Sequence, residues 1–186
     1  MTQDIAEPTI EKSPRRFGRL FLMTISLLTF AMLISGVYFA TSYDKGDGLT
    51  TYEREAIAVV VMQNGITEGW NQTVDMFNAS SIGSQDDHIV LYTASQIAVR
   101  TLITDSQSVI SHWQAIDVPD EHLASHGIGL EALKATQDGL ILFDVFFQNS
   151  IDTLVADQIR SDEAAAKLTQ ARELWQQAAA MAANEG

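Results

Sequence analysis

No cysteine occurs anywhere in the 186-residue chain. That absence excludes disulfides, thiolate metal sites, covalently attached c-type haem, Cys-ligated iron–sulfur clusters and a lipoprotein anchor cysteine. Basic residues are also scarce: 11 Lys and Arg against 24 Asp and Glu leave a net charge of -13. Binding polyanions rests on Lys and Arg neutralising phosphates, so nucleic acid is not an expected partner. No run alternates apolar and polar residues in the way a half-buried strand requires. There is no HExxH-like motif, and no Ser-His-Asp set or carboxylate pair that converges. The expectation is therefore a non-enzyme with no catalytic residues and no cofactor. What is present suffices for one domain with a real core, since 46% of the residues are hydrophobic and only 19% are charged.

Charge is missing altogether between Arg19 and Asp44. Within that gap "LFLMTISLLTFAMLISGVYFA", Leu20 to Ala40, matches the ~20 apolar residues that a helix needs to cross a bilayer. A signal peptide is the competing reading, with "ATS" at Ala40 to Ser42 as its cleavage site, but signal-peptide apolar regions run only ~7 to 15 residues. "SPRRFGR" is too loose a match to a twin-arginine signal to alter this. Lys12, Arg15, Arg16 and Arg19 precede the span and Asp44 and Asp47 follow it, which places the N-terminus in the cytoplasm. The expected organisation is a cytoplasmic tail over residues 1–19, a single transmembrane helix over 20–43, a linker over 44–50 and an extracytoplasmic domain over 51–186. A tail of that length cannot hold a signalling output domain, which disfavours a free-standing receptor. From Asp44 onward 7 basic residues face 21 acidic ones, so the outer domain should be repelled by anionic headgroups.

The outer segment reads as four amphipathic helices. Thr50 and Glu53 form a capping-box pattern, after which Tyr52, Ala56, Val59, Ile66, Trp70 and Phe77 recur at helical spacing, predicting a first helix from Thr51 to Ala79. Gly65 and Gly69 are spaced for close helix approach. "SSIGSQDD" breaks the pattern, and Asp86 and Asp87 suit the start of a second helix whose stripe is Tyr92, Ser95, Val99, Leu102, Ser106, Val109, Trp113 and Ile116. Pro119 fits the first position of a third helix. Its expected seam is Leu123, His126, Leu130, Leu133, Gln137, Leu140, Asp144, Phe147, Ile151 and Leu154. Ser161 is the expected cap of a last, Ala-rich helix with Ala164, Leu168, Ala171, Trp175, Ala178 and Ala182 turned inward. The fold class is all-α: a transmembrane helix followed by an up-down-up-down four-helix bundle, because short connections force neighbours to reverse.

Three of the four histidines fall within "HWQAIDVPDEHLASH", His112 to His126. His122 and His126 are four apart, the spacing of helical zinc sites, with His112 as a third weak metal candidate. The ordinary reading is a buried His126 near a hairpin with His112 and His122 on its rim, and no metal. Ser95, His126, Gln137 and Asp144 are expected as buried polar residues. Asp144 lies on the seam within apolar "LILFDVFF", and Ser95 is its expected donor across the helix pair. The same run is apolar around most of the helix, as is "AIAVVVM" in the first helix. Phe143, Phe146, Val145, Val60 and Val61 are therefore expected to face partner proteins.

These observations point to a single-span accessory subunit of a multi-subunit membrane complex, laid out like the small subunits of respiratory or photosynthetic electron-transfer complexes. Its expected partners are other subunits and, through Leu20 to Ala40, the lipid bilayer. The competing readings are a ligand-binding or sensing ectodomain that works with a separate signalling partner, and a metal- or haem-binding bundle.

Overall fold

The computed structural model describes residues 50–80 and 82–185. The expected tail, membrane span and linker lie outside the described residues. Among the described residues no helix is long and apolar enough to cross a membrane.

Local chemistry sets each helix boundary. Helix α1 (Thr51–Ala79) covers the range expected from the sequence, and its start is closed reciprocally. Thr50 Oγ1 accepts from the Glu53 N–H at 3.2 Å, and Glu53 Oε2 accepts from the Thr50 N–H at 2.6 Å. Helix α2 (Gln85–Ala115) is capped by Ser84, whose Oγ accepts from the Asp87 N–H at 3.1 Å, with Asp86 and Asp87 in the positive first turn.

The expected start of the third helix needs correction. Pro119 stands outside it, and a single 3-10 turn, Asp120–His122, precedes helix α3 (Leu123–Thr153). Helix α4 (Gln158–Glu185) also begins earlier than expected. Its capping side chain is Asp157, which accepts from the Arg160 N–H at 3.3 Å, while Ser161 is buried inside the helix.

Consecutive helices run antiparallel, consistent with a four-helix bundle. Phe77 near the end of α1 meets Tyr92 near the start of α2, their ring centroids 5.0 Å apart. Gln96 bonds to Gln148, Gln107 to Gln137, and Trp113 stacks on His126 at 4.4 Å, a descending register between α2 and α3. Helix α1 thus lies parallel to α3, with Tyr52 against His122 and Trp70 against Phe143. The connection between α2 and α3 therefore returns to the end where α1 begins.

The helix pairs are not equally close. Helices α3 and α4 come nearest because small residues face each other, Ala132, Ala135 and Gly139 on one side and Ala164 and Ala171 on the other. A Cβ on Gly139 would lie 2.8 Å from Leu168 Cδ2 and 3.3 Å from the Ala164 carbonyl oxygen. Helix α1 packs along α2, where Leu102 reaches within 2.7 Å of a Cβ position on Gly69. The backbones of α1 and α4 hardly approach each other.

This close packing rotates α3 relative to expectation. Its buried stripe is Ser125, Gly129, Ala132, Thr136, Gly139, Phe143, Phe146 and Ser150, joined by Leu133, Leu140 and Phe147. The expected seam residues Leu133, Leu140 and Phe147 are buried as read, but the stripe spreads from them onto the positions one residue earlier, so the helix is turned by part of the ~100° that separates neighbouring residues. Leu123 and Leu154 are consequently exposed, and Leu154 ends the helix with a left-handed φ of 57°.

Phe143 and Phe146, expected at a partner interface, are 0% exposed. Phe143 packs against Trp70 at 4.4 Å, and Phe146 against Phe147 at 4.9 Å and Tyr92 at 5.8 Å. Val60 is also buried, whereas Val61 and Val145 are exposed. Each buried phenyl ring contributes about 1.5–3 kcal/mol by leaving water, and the ring pairs add roughly 0.5–1.5 kcal/mol.

Three substitutions test this packing. Gly139→Val should destabilise the bundle by about 1–3 kcal/mol, because Leu168 and the Ala164 backbone leave no room. Gly65→Ala, with nothing within 4 Å of its Cβ position, should stabilise it by about 0.5–1 kcal/mol through helix propensity alone. Equal effects in denaturant titration would mean that the α3–α4 contact is slack. Phe143→Asp places a charge in the core without a partner, and the cooperative thermal transition should disappear.

Candidate functional site

His122 and His126 share the ring of Tyr52, at 4.7 and 5.9 Å, while His112 and His88 stand apart from them. His112 is exposed and its Nδ1 bonds the Ser108 carbonyl of its own helix at 3.0 Å. His122 stacks on Tyr52 at 4.7 Å, and His126 lies flat against Trp113, with an interplanar angle of 5°. His88 is at the other end of the bundle, stacked on Tyr92 at 4.0 Å, with Nε2 placed 3.0 Å from the Ser150 carbonyl oxygen. Among the described residues no three His, Asp or Glu side chains form a group that could hold a metal ion. His126 is half-buried and not fully inside as expected, because the rotation of α3 carries it to the edge of the core.

The same rotation redefines the other polar candidates. Ser95 is fully buried, but its hydroxyl donates to the Leu91 carbonyl of its own turn at 3.0 Å. It does not meet Asp144. That carboxylate lies on the bundle flank, where Arg100 Nε donates to it at 2.7 Å, with the two side chains 55% and 26% exposed. An ion pair so hydrated is worth about 0–1 kcal/mol. Gln137 is half-buried and donates to Gln107 Oε1 at 2.9 Å.

Two features that the sequence reading missed carry more information. The first is the end of the bundle remote from Thr50, where the α1–α2 and α3–α4 connections meet. Ile82, Val90, Leu154, Val155 and Ile159 are all exposed there, Val155 by 68% and Ile159 by 71%. The surrounding charge is almost wholly negative: Asp86, Asp87, Asp152, Asp157, Asp162 and Glu163 against Arg160, which Glu163 engages at 2.6 Å.

The backbone of this end is well tied. Asn149 donates to Asp157 Oδ2 at 2.7 Å, and the Asp157 N–H donates to Ser150 Oγ at 3.1 Å. Asp157 is consequently held below the usual carboxylate range, chiefly by Asn149, and Asp87 likewise by Ser84 and the Gly83 N–H. In the sequence these apolar residues flank turn-forming stretches, where no helical period reveals them.

The second feature is a set of buried polar atoms, His126 Nδ1 among them, with no hydrogen-bond partner on the protein. Both side-chain atoms of Gln63, the indole Nε1 of Trp70 and Trp175, Asn71 Oδ1 and Arg172 Nε belong to it. Each such group costs about 1–3 kcal/mol when left unpaired. The sequence signal for Gln63 was available, because it stands between Val59 and Ile66 at a core position of the α1 heptad.

Burial holds the His126 imidazole below its ordinary pKa, against a weaker opposing bond to the Trp113 backbone. Native His126 therefore takes its proton at lower pH than the unfolded chain does. Its contribution to stability is complete above the ordinary imidazole range and is lost as pH falls through it. Unfolding midpoints should accordingly decline between about pH 7.5 and pH 5, and His126→Phe, which keeps the stack on Trp113, should flatten the decline. An unchanged slope in that variant would assign the dependence to other groups.

No protein-family model, no curated protein and no solved structure matches this chain, so the functional reading stands on the side chains described above.

Proposed function

We propose that the protein is a non-catalytic, single-span accessory subunit of a larger membrane complex, whose acidic helical domain docks on an extracytoplasmic partner. The observation that carries this reading is that Ile82, Val90, Leu154, Val155 and Ile159 are exposed at the end of the bundle where Asp86, Asp87, Asp152, Asp157, Asp162 and Glu163 also lie. Large side chains left in water at one end of a domain with an otherwise well-filled core favour association. The pinned backbone at Asn149, Ser150 and Asp157 lowers the ordering cost of binding. The negative rim selects a partner that presents an apolar hollow edged by Lys and Arg. Phe143 and Phe146 have no part in this surface, and Leu20 to Ala40 supplies the membrane anchor.

The test is purification of the full chain from its native membrane in mild detergent, side by side with a Val155→Asp, Ile159→Asp variant. The wild-type chain should retain a stoichiometric partner and the variant should lose it. Each anchor contributes ~2 kcal/mol or more, over tenfold in affinity. Helix content and thermal midpoint should not change, because both side chains are already in water. A partner recovered equally with both chains, or a wild-type chain that emerges alone, overturns the proposal.

A further inference from the structure

Helix α2 carries two stripes of opposite character. Tyr92, Ser95, Val99, Leu102, Ser106 and Val109 face the core. On the far side, Ala94, Ile97, Thr101, Thr104, Ser108 and Ser111 are exposed and recur at alternating three- and four-residue spacing, a heptad seam turned toward solvent. Val90 begins the row, 68% exposed, and Ile97 within it is 61% exposed. With Ala115 at its end, the row runs for roughly 38 Å at the rise of an α-helix.

No member of the row is charged, although the chain carries a net charge of -13. The exposed faces of the other helices differ, with Glu68 and Asp75 on α1, Glu131, Lys134 and Asp138 on α3, and Glu163 and Glu173 on α4. The hydroxyls add little polar demand to the row. Thr101 donates to the Ile97 carbonyl at 3.2 Å, Thr104 to the Arg100 carbonyl at 3.1 Å, Ser108 to the Thr104 carbonyl at 3.3 Å and Ser111 to the Gln107 carbonyl at 2.9 Å. Each donor is satisfied within its own helix, so covering the row strands none of them.

The charges that flank the row indicate what covers it. Arg100 stands one residue before Thr101 and Asp105 one residue after Thr104, which puts them on opposite sides of the row. In a parallel two-fold pair of helices, a residue just before one seam layer faces the residue five positions later on the other helix. That relation sets Arg100 beside Asp105 of a second copy, and symmetry repeats the pair. An antiparallel two-fold pair would instead bring like residues to the same side, Arg100 with Arg100 and Asp105 with Asp105. Arg100 Nε already donates to Asp144 at 2.7 Å, but its side chain is 55% exposed and a guanidinium carries donors enough for both carboxylates.

We infer that two copies of this chain associate in parallel through the outer row of α2, with Ile97, Thr101 and Thr104 at the centre of the contact. A partner of opposite charge would be selected by charges on the face itself. An uncharged face is the one along which two like-charged copies approach at least cost. On the reading that Leu20 to Ala40 anchors the chain, two copies in one membrane stand in this same orientation. The contact is modest: a seam ~38 Å long and ~10 Å wide covers roughly 400 Å² on each copy, which places the pair among weak associations. Apart from Val90, the row shares no side chain with the docking end.

The chain contains no cysteine, so a single introduced one reports only its own neighbours. The experiment uses the full chain in mild detergent at about 100 µM, where a micromolar dissociation constant populates the pair. Ile97→Cys, Thr101→Cys, Thr104→Cys and Ser108→Cys are oxidised briefly, one at a time, with Lys134→Cys on the exposed face of α3 as control. Each seam cysteine should cross-link to the same position of a second copy and the control should not, with helix content unchanged throughout. Adding Asp105→Arg to Thr101→Cys should cut the cross-linked fraction about threefold or more, because two exposed ion pairs turn to repulsion at once. Arg100→Asp combined with Asp105→Arg should restore it. The Val155→Asp, Ile159→Asp variant should cross-link as its parent does, so loss of the docking partner and loss of this pair are separate results. Cross-links that join Ala94→Cys to Ser111→Cys in a mixture, but not each seam cysteine to itself, would mean an antiparallel pair. That result overturns the inference, as does an equal yield at Lys134→Cys or no cross-link anywhere along the row.

Discussion

Between α3 and α4 there is no room for one more methyl group: a Cβ on Gly139 would press on Leu168 and on the Ala164 carbonyl. Much of the remaining packing follows from that approach. Because α3 gives its small residues to α4, its largest ones turn toward α1 and α2, where Trp70, Phe77 and Tyr92 receive Phe143, Phe146 and Phe147. A core built of interlocked rings on one side and methyl groups on the other cannot hold four helices at equal spacing. The fourth helix is drawn onto the third, and the first is held mainly by the second. Gln63, Asn71 and Arg172 carry buried polar atoms that find no partner on the protein.

The helices themselves were legible because their boundaries are written in local chemistry. Thr50 with Glu53, and Ser84 with Asp87, act within one turn, so their side chains announce the structure that they stabilise. The α2 stripe was readable for a different reason, since Val99, Leu102, Val109 and Trp113 are both its buried residues and its most apolar ones. In α3 those two properties separate. Its tightest contact is made by Gly129, Ala132 and Gly139, which carry almost no apolar signal, while Leu123 and Leu130 beside them carry a strong one. Following the larger residues turns the stripe by part of the spacing between neighbouring positions. That rotation accounts for the misplacing of Phe143, Phe146, His126, Gln137 and Asp144 together.

The division between interior and surface also changes meaning. Asp144 within an apolar run suggested a protected acid, yet the rotation of α3 places it on the flank beside Arg100. Gln63, by contrast, is enclosed with neither side-chain polar atom paired on the protein, and it attracts no notice in a list of titratable groups. Exposed apolar residues occur along the helices, as at Val61, Ile97 and Ile141, and also where the helical period ends, at Ile82 and from Leu154 to Ile159. Periodicity has nothing to say about connections, so an apolar surface built from two of them becomes visible only when the fold brings them to one end.

The unequal spacing bears on how the chain acquires its structure. Every extensive backbone approach joins helices adjacent in sequence, and the pairing that would close the ring, between the first and last helices, is almost unused. Contacts that are near in sequence cost little loop entropy to form, so the domain belongs to the class that folds rapidly. The hairpin of α3 and α4 contains its own tight interface. In the finished molecule α1 can be peeled away by breaking its seam with α2 and its ring contacts with α3, without separating that hairpin.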